Sequence, residues 1–598
     1  MALLFTAGVM FLAASLYHVQ IVEFSSFSRD QMRQSIRRVQ VPGPRGRILD
    51  RNGVCLADNR PSYCIAFYVE ELRKRGKWSK TIDAVDADID RLAGVLGIPR
   101  EISKETVASH VMQRLPMPLL AWRDVGQETL ARWAERAQDF PGVDVYVQPE
   151  RFYPQGTLAS HAIGYVSRDR PEMQPGERVH FYLPEMVGRA GLERQYNALL
   201  TGVSGDQLIR VDARGYKNAE WEGAPEVPGR DLRLTLDVTI QRALEKAMRG
   251  WRGAGVVVDP RDGEILAMAS SPTYDPNQLV PAPTAGVWNR LNSDPTLPLL
   301  NRAIQGRYAP GSTFKPVTAM AALLHPGFDP NETYPCNGVF VMGSMRLHCW
   351  NTYGHGAIAL RKAIEQSCNV YFCHLGQTIG YDAIYEQARK VGLGVATGID
   401  LPYEARGLLP TAEWKLKTTK EPWRTGDTCH ISIGQGMLVT TPLQMAMLVS
   451  VFANGGMLFR PHVSQRGGAV DCVREMDWPP AALQLVRNGM HDVATVGTGR
   501  RVQVRGLDVA AKTGTAEYEA AGGIRRKNTW VTAFAPFDHP TVAVAIVIEN
   551  GESGGHTVAP MVHDVLVSVF GESSAETEDA SETKAPAHAP GNAETGSD

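Results

Sequence analysis

The stretch Gly311-Ser312-Thr313-Phe314-Lys315-Pro316 decides the reading of this chain. It follows a proline-containing loop, Arg307-Tyr308-Ala309-Pro310, and runs into the apolar segment Val317-Thr318-Ala319-Met320-Ala321-Ala322-Leu323-Leu324. A loop ending in Pro and Gly, a small residue, and an apolar run with proline in its first turn together predict a helix starting near Ser312. Ser312 and Lys315, three residues apart, then share one face of that helix. An amine is thereby brought within reach of a hydroxyl at a helix N-terminus, where free N–H groups and the positive dipole end favour developing negative charge. The pattern is that of a serine nucleophile with lysine as its base.

Taken alone, Ser-x-x-Lys says little: Ser581-Glu582-Thr583-Lys584 fits it too, inside an acidic tail that holds no geometry. An isolated match is a helix cap beside a solvated charge. Two further motifs change that. Ser367-Cys368-Asn369 lies between Ala363-Ile364-Glu365-Gln366 and Val370-Tyr371-Phe372-Cys373. Lys512-Thr513-Gly514-Thr515 ends Leu507-Asp508-Val509-Ala510-Ala511, which reads as a strand. Ser-x-x-Lys, Ser-x-Asn and Lys-Thr-Gly, in that order, are the signature of the penicillin-recognising serine enzymes.

With these motifs the chain resembles the class B penicillin-binding proteins, most closely the penicillin-binding protein 2 type that works in cell elongation. The resemblance extends over nearly the whole chain. It is carried further by Arg45-Gly46-Arg47-Ile48-Leu49-Asp50-Arg51-Asn52-Gly53, Gly191-Leu192-Glu193-Arg194-Gln195-Tyr196 and Asp259-Pro260-Arg261-Asp262-Gly263-Glu264-Ile265-Leu266-Ala267-Met268. Gly398-Ile399-Asp400-Leu401, Ile433-Gly434-Gln435-Gly436 and Thr440-Thr441-Pro442-Leu443-Gln444 complete it.

The resemblance implies a peptidoglycan D,D-transpeptidase that cross-links stem peptides through an acyl-enzyme on Ser312 and is acylated there by β-lactams. It gives Lys315 the serine proton, Ser367 a relay to the leaving amine, and Asn369 the positioning of the substrate amide and Lys315. Lys512 and Thr513 would hold the substrate carboxylate, while Gly514 lets its strand sit close to the ligand. The backbone N–H groups of Ser312 and Thr515 would form the oxyanion hole. Lys315 must be partly neutral to act as base, and Lys512 and the helix N-terminus are expected to depress its pKa. The same motifs serve D,D-carboxypeptidases and serine β-lactamases, which hand the acyl group to water. A division-type class B enzyme is the nearest rival within the family, and a non-enzymatic penicillin-sensing or scaffold role is the third reading.

The remainder of the chain bounds these expectations. Its 598 residues suffice for two or more domains, and 62 basic against 64 acidic side chains leave a net charge of −2, with no nucleic-acid footprint. Met1 to Val22 contains no Lys, Arg, Asp or Glu and is long enough to span a bilayer as an uncleaved anchor. No basic flank precedes it, which suggests a translation start further upstream. Ser25 to about Val41, with Arg29, Arg33, Arg37 and Arg38, reads as a helix leaving the membrane. The expected domains are an anchor over 1–22, a non-catalytic pedestal (dimerisation) domain over 23–225, a transpeptidase domain over 226–570 and a disordered acidic tail over 571–598. No acidic motif of a glycosyltransferase stands in the pedestal. Strands at both ends of the third region, Gly255–Val258, Glu264–Ala269, Trp530–Phe534 and Val542–Ile548, enclose helical segments, so the fold class is α+β with an antiparallel sheet covered by helices. The family implies a single-pass inner-membrane protein with its catalytic domain in the periplasm, partnered by a membrane-embedded glycan polymerase and other elongation-complex proteins.

Eight cysteines are many for an exported chain. Cys336, Cys349, His355 and Cys368 fall between the nucleophile and the second motif, and three thiolates with one imidazole suit a closed structural zinc site. Some elongation-type relatives bind zinc here; His355 and Cys368 match their ligands, whereas Cys336 and Cys349 stand where those relatives have aspartates. A Cys336–Cys349 disulfide is the alternative in an oxidising compartment. Cys55, Cys64, Cys373, Cys429 and Cys472 read as core thiols or a further pair.

Overall fold

The computed structural model describes residues 2–23, 36–113, 117–169, 181–182, 185–211, 217–467, 470–520 and 524–571. Residues 572–598 of the expected tail lie outside the described residues. Ala2–Tyr17 is an α-helix that widens into a π turn over His18–Val22. Phe5–Val22 is apolar and long enough to cross a membrane, and none of it is buried by the rest of the chain.

The basic segment that follows departs from expectation. Residues 24–35 lie outside the described residues, but Ile36–Val41 is a strand, paired antiparallel with Gly205–Val211, which pairs on to Lys217–Glu222. Ile36, Val39 and Val41 are β-branched, and Val39 is fully buried. Pairing with a distant partner therefore outweighs the helical spacing of the arginines.

The rest of the pedestal is built on one long strand, Cys55–Phe67, which pairs with Val143–Phe152 along ten residues and with Leu119–Trp122 at its end. The amphipathic helix Trp78–Leu96 buries Val85, Ile89, Leu92 and Leu96, at helical spacing, against Ile65, Phe67 and Trp122. Arg45 and Arg151 enclose the fully buried Glu193 carboxylate, with Nε to Oε distances of 2.6 and 2.7 Å. The Tyr153 hydroxyl donates to the same carboxylate at 3.3 Å.

Several of the family-like stretches act as joints between this region and the catalytic one. Asp50, fully buried, accepts from the backbone N–H groups of Asn52 and Val54 and of Val238 at the start of a catalytic-domain helix. The Tyr196 hydroxyl donates to Asp400, whose carboxylate also receives the N–H groups of Val463 and Ser464.

The catalytic region begins with α1 (Val238–Ala247), whose N-cap Asp237 accepts from Thr239 and Ile240. Strands β1 (Gly253–Val258) and β2 (Ile265–Ser271) form the expected hairpin. Next come α2 (Lys315–Leu323), α3 (Asn369–Lys390), α4 (Pro442–Ala453) and α5 (Pro480–Thr495). Strands β3 (Ala510–Ala520), β4 (Ile524–Ala535) and β5 (Val542–Glu549) and helix α6 (Ala559–Phe570) close the chain. The sheet runs β2-β1-β5-β4-β3, antiparallel throughout, with β3 at its edge.

Period-two alternation sorts β5 between two layers. Val544, Ile546 and Ile548 face α1 and α6, whereas Ala543, Ala545 and Val547 face the core that holds α4. Helix α4 is buried on every side and starts with a capping box, Thr441 Oγ1 accepting from Gln444 N and Gln444 Oε1 from Thr441 N. A helix apolar all round serves here as the centre of the domain.

Candidate active site

Ser312 does not sit in the α-helix itself. Gly311–Phe314 is a 3₁₀ turn and α2 starts at Lys315. In a 3₁₀ turn residues i and i+3 eclipse, so Ser312 and Lys315 still share a face. Gly311 has φ +56, a left-handed conformation that glycine adopts freely, and its N–H donates to Gly434 O at 2.7 Å. A Cβ at Gly434 would lie 2.0 Å from Gly311 O, so the two segments meet only because residue 434 is glycine. The edge strand β3 lies against the other side of the turn: a Cβ on Gly514 would come within 3.0 Å of Pro310 O and of Thr313 Cγ2.

The second motif occupies the break between helix Leu360–Glu365 and α3. Ser367 takes φ +52, rare for a residue with a side chain. Both of its oxygens are used. The Lys315 ammonium donates to Ser367 O at 2.7 Å, to Asn369 Oδ1 at 2.8 Å and to Ser367 Oγ at 3.4 Å. The Lys512 ammonium donates to Ser367 Oγ at 2.8 Å and to Thr513 O at 3.0 Å. Both lysines are fully buried, so two amines converge on one hydroxyl away from solvent, while Ser312 and Asn369 stay partly exposed. Thr513 Oγ1 lies 2.6 Å from Thr498 Oγ1, and the backbone of Thr515 adjoins Gly311.

Burial pushes the Lys315 amine down to about 8, opposed by the nearby cysteine thiols. The Lys512 amine is held well below the usual range by burial and by Lys315. The depression expected at Lys315 is therefore present, but its leading cause is desolvation and not the neighbouring charge.

Residues 253–567 match the penicillin binding protein transpeptidase domain family, and residues 40–234 match the penicillin-binding protein dimerisation domain family. The chain is 33% identical to a peptidoglycan D,D-transpeptidase MrdA of Acinetobacter baumannii, over 92% of this chain and 83% of that protein. It is 33% identical to the protein of that name from Escherichia coli K12, over 95% of this chain and 92% of the other. This chain belongs to the class B penicillin-binding proteins. Among solved structures, one chain of a complex between penicillin-binding protein PBP2 and MreC from Helicobacter pylori aligns with a TM-score of 0.74 at 29% identity. That alignment covers 89% of this chain and 98% of the other.

In this penicillin-binding protein the motif order predicted from sequence becomes one constellation: Ser312, Lys315, Ser367, Asn369 and Lys512 gather where α2, α3 and β3 meet. The side chain of Lys512 is aimed at Ser367 and not outward along the strand, and the neighbouring Thr513 hydroxyl is paired with that of Thr498. Thr498 carries no motif, and only its approach to Thr513 reveals it.

Cys336, Cys349, His355 and Cys368 also converge, with one ligand atom of each within 4.8 Å of all the others. All eight cysteines are free, and Cys472, expected as a core thiol or one of a pair, is exposed. The sulfurs of Cys336 and Cys349 lie 3.5 and 3.6 Å from His355 Nδ1. A tetrahedral zinc ion, with sulfur at about 2.3 Å and nitrogen at about 2.0–2.1 Å, sets that edge at about 3.5 Å, so the donor set fits the metal. His355 Nε2 is buried without a hydrogen-bond partner; the ring is oriented by packing on Trp350, 5.5 Å away. A hydrogen bond from Cys368 pulls the Cys349 thiol down to about 4, and that bond and burial push Cys368 up.

The cluster is tied to the catalytic loop. Cys368 Sγ caps α3 by accepting from Tyr371 N, one residue before Asn369. His348 O accepts from Asn369 Nδ2 at 2.9 Å, and Trp350 Nε1 donates to Gln366 O at 2.7 Å.

Proposed function

We propose that Ser312 is the acylating serine of a peptidoglycan D,D-transpeptidase of cell elongation, with Lys315 as its base. One observation carries the assignment: two buried lysines meet on Ser367 Oγ beside the turn that holds Ser312. In acylation, Ser312 Oγ attacks the carbonyl carbon joining the last two residues of a stem peptide, and its proton passes to neutral Lys315. The N–H groups of Ser312 and Thr515 receive the oxyanion. As the peptide C–N bond breaks, the departing amine takes its proton through Ser367 Oγ, which Lys512 holds in place. The terminal carboxylate rests on the Thr513 and Thr498 hydroxyls, drawn by the Lys512 charge. An amine of a second stem peptide then attacks the Ser312 ester; its C–N bond forms, the C–Oγ bond breaks and the serine regains its proton. A β-lactam amide enters the first half of this sequence and stalls.

Cys336, Cys349, His355 and Cys368 would hold a structural zinc ion, which when bound supplies a rigid cross-link and takes no part at the reacting carbonyl. The enzyme would be anchored in the inner membrane by its N-terminal helix with the catalytic domain in the periplasm, a reading supported by the length and apolar character of Phe5–Val22. The pedestal is the surface for a membrane-embedded glycan polymerase and other elongation proteins. Support comes from two similar solved chains, the Helicobacter pylori one with MreC and one from a peptidoglycan synthase complex, TM-score 0.70 at 29% identity over 95% of this chain and 97% of that one.

The test is intact-mass spectrometry with a fluorescent penicillin, followed by product analysis with stem-peptide donor and acceptor. The expected result is one long-lived adduct mapped to Ser312, lost in Ser312→Ala, and a product in which the two stem peptides are cross-linked. An adduct that turns over within seconds, or a product made only with water, would assign the chain to the hydrolases.

A further inference from the structure

We propose that Trp350 recognises the acceptor: its indole face receives the primary ammonium of the second stem peptide before that amine attacks acyl-Ser312. The inference rests on the transpeptidase reading above. Trp350 lies between two members of the buried Cys/His cluster, directly after Cys349, with its ring packed on His355. Its indole N–H is spent on Gln366 O at 2.7 Å. The side chain is thus held rigidly, yet 58% of the residue is exposed. With the N–H engaged, the part facing solvent is an apolar rim and an electron-rich face, which attracts a cation on an alkyl stem and repels a carboxylate.

Position then selects the cation. Gln366 precedes Ser367, the hydroxyl proposed to give the departing amine its proton. By microscopic reversibility the incoming nitrogen arrives where the leaving one departed, so the ring borders the path of the acceptor. The paired Thr513 and Thr498 hydroxyls, with the buried Lys512 amine beside Ser367, form the rim proposed above for the carboxylate. A donor ending in a carboxylate and an acceptor ending in an ammonium match these two rims. The bound ammonium loses one proton to solvent, and its lone pair attacks the ester carbonyl carbon. The C–N bond forms, the C–Oγ bond breaks, and the second amine proton passes to Ser312 Oγ.

The experiment uses the full chain, a small acyl-peptide thioester donor and a primary-amine peptide acceptor. Thiol release reports acylation, and the amide-to-acid product ratio reports the acceptor. Trp350→Leu is expected to lower that ratio about 3–30-fold, the range of a lost cation–π contact, with a smaller effect on thiol release. Trp350→Phe, which keeps a ring without the Gln366 bond, is expected to retain a third or more of the ratio. In the unmutated protein, a trimethylammonium analogue of the acceptor, unable to react, should suppress amide formation without slowing thiol release. An unchanged ratio in Trp350→Leu, equal losses in Leu and Phe, thiol release that falls as far as the ratio, or no competition by the trimethylammonium compound would each overturn the inference. Absence of thiol release from the unmutated protein would instead remove the transpeptidase reading, and this inference with it.

Discussion

Replacing Glu193 by Gln tests the joint on which the pedestal is built. The carboxylate is fully buried, and the two guanidinium groups it receives are 4% and 0% exposed. Burial alone would raise its pKa, but attraction to Arg151 and Arg45 outweighs this and holds it below the usual range. A depressed carboxyl contributes stability at every pH above its unfolded value of about 4.3, and that contribution is lost only as pH falls through the folded value. The amide is nearly isosteric, but it offers one acceptor oxygen where two cations now donate, and it turns its N–H₂ group toward one of them. Breaking a buried pair on one side costs about 3–5 kcal/mol, because a charge stays buried without its partner. For a unit of about 200 residues each kcal/mol moves the midpoint by about 2–4 °C, so the pedestal transition should fall by about 6–20 °C. Scanning calorimetry at pH 7 measures this, and penicillin acylation of Ser312 at 20 °C checks that the catalytic domain stays folded. Replacing Arg45 and Arg151 by Met together with Glu193→Leu should recover most of the loss, since a packed apolar trio carries no unpaired charge. A shift below about 2 °C for Glu193→Gln would refute the reasoning.

Three further outcomes follow from the site. Because burial sets the Lys315 amine at about 8, the acylation rate at saturating penicillin should rise with pH and level off above an inflection near 8, as the neutral base accumulates. A flat profile between pH 6 and 9 would exclude Lys315 as the base. Cys368→Ser should reduce bound zinc from about one ion per chain to none by inductively coupled plasma mass spectrometry, and slow acylation by about tenfold or more as the loop carrying Ser367 and Asn369 loosens. Full zinc content in that variant would remove Cys368 from the ligand set. Gly514→Ala places a methyl 3.0 Å from Pro310 O and Thr313 Cγ2, so the Ser312 turn must shift and acylation by penicillin should fall about tenfold or more. Acylation within twofold of the parent would mean that the turn yields without cost.

The parts of the fold that were legible in the sequence depend on local pattern. The β1–β2 hairpin, the alternating β5 and the three catalytic motifs each announce themselves within a dozen residues. The strand Ile36–Val41 is hidden in the sequence because the arginines of its stretch fall at helical spacing and its partner is some 170 positions away. Arg45 and Glu193 are 148 positions apart, so neither reveals the other, though both lie in stretches marked by resemblance. The 3₁₀ turn at Ser312 differs from an α-helical first turn by one hydrogen-bond register, which composition does not encode. Trp350, His348 and Thr498 were illegible for a different reason: each serves through a backbone carbonyl, an indole N–H or a lone hydroxyl set against a motif residue.

The unread scaffolding explains how the motif residues can be held as they are. Ser367 sits in a left-handed conformation that costs on the order of 1–3 kcal/mol, and two ammonium groups that repel each other converge on its hydroxyl. Neither feature would persist in a loop free to relax. Three contacts oppose that relaxation: His348 O on Asn369, Trp350 Nε1 on Gln366, and Cys368 Sγ capping α3. Each of the three comes from a member of the Cys/His cluster or from a residue next to one. The cluster therefore bears on the chemistry from a distance. By fixing Ser367 it keeps two lysines close enough, in a site dry enough, that one of them is partly neutral near physiological pH. Loss of the cluster should then lower the acylation rate in protein that is still folded, which circular dichroism at the assay temperature checks.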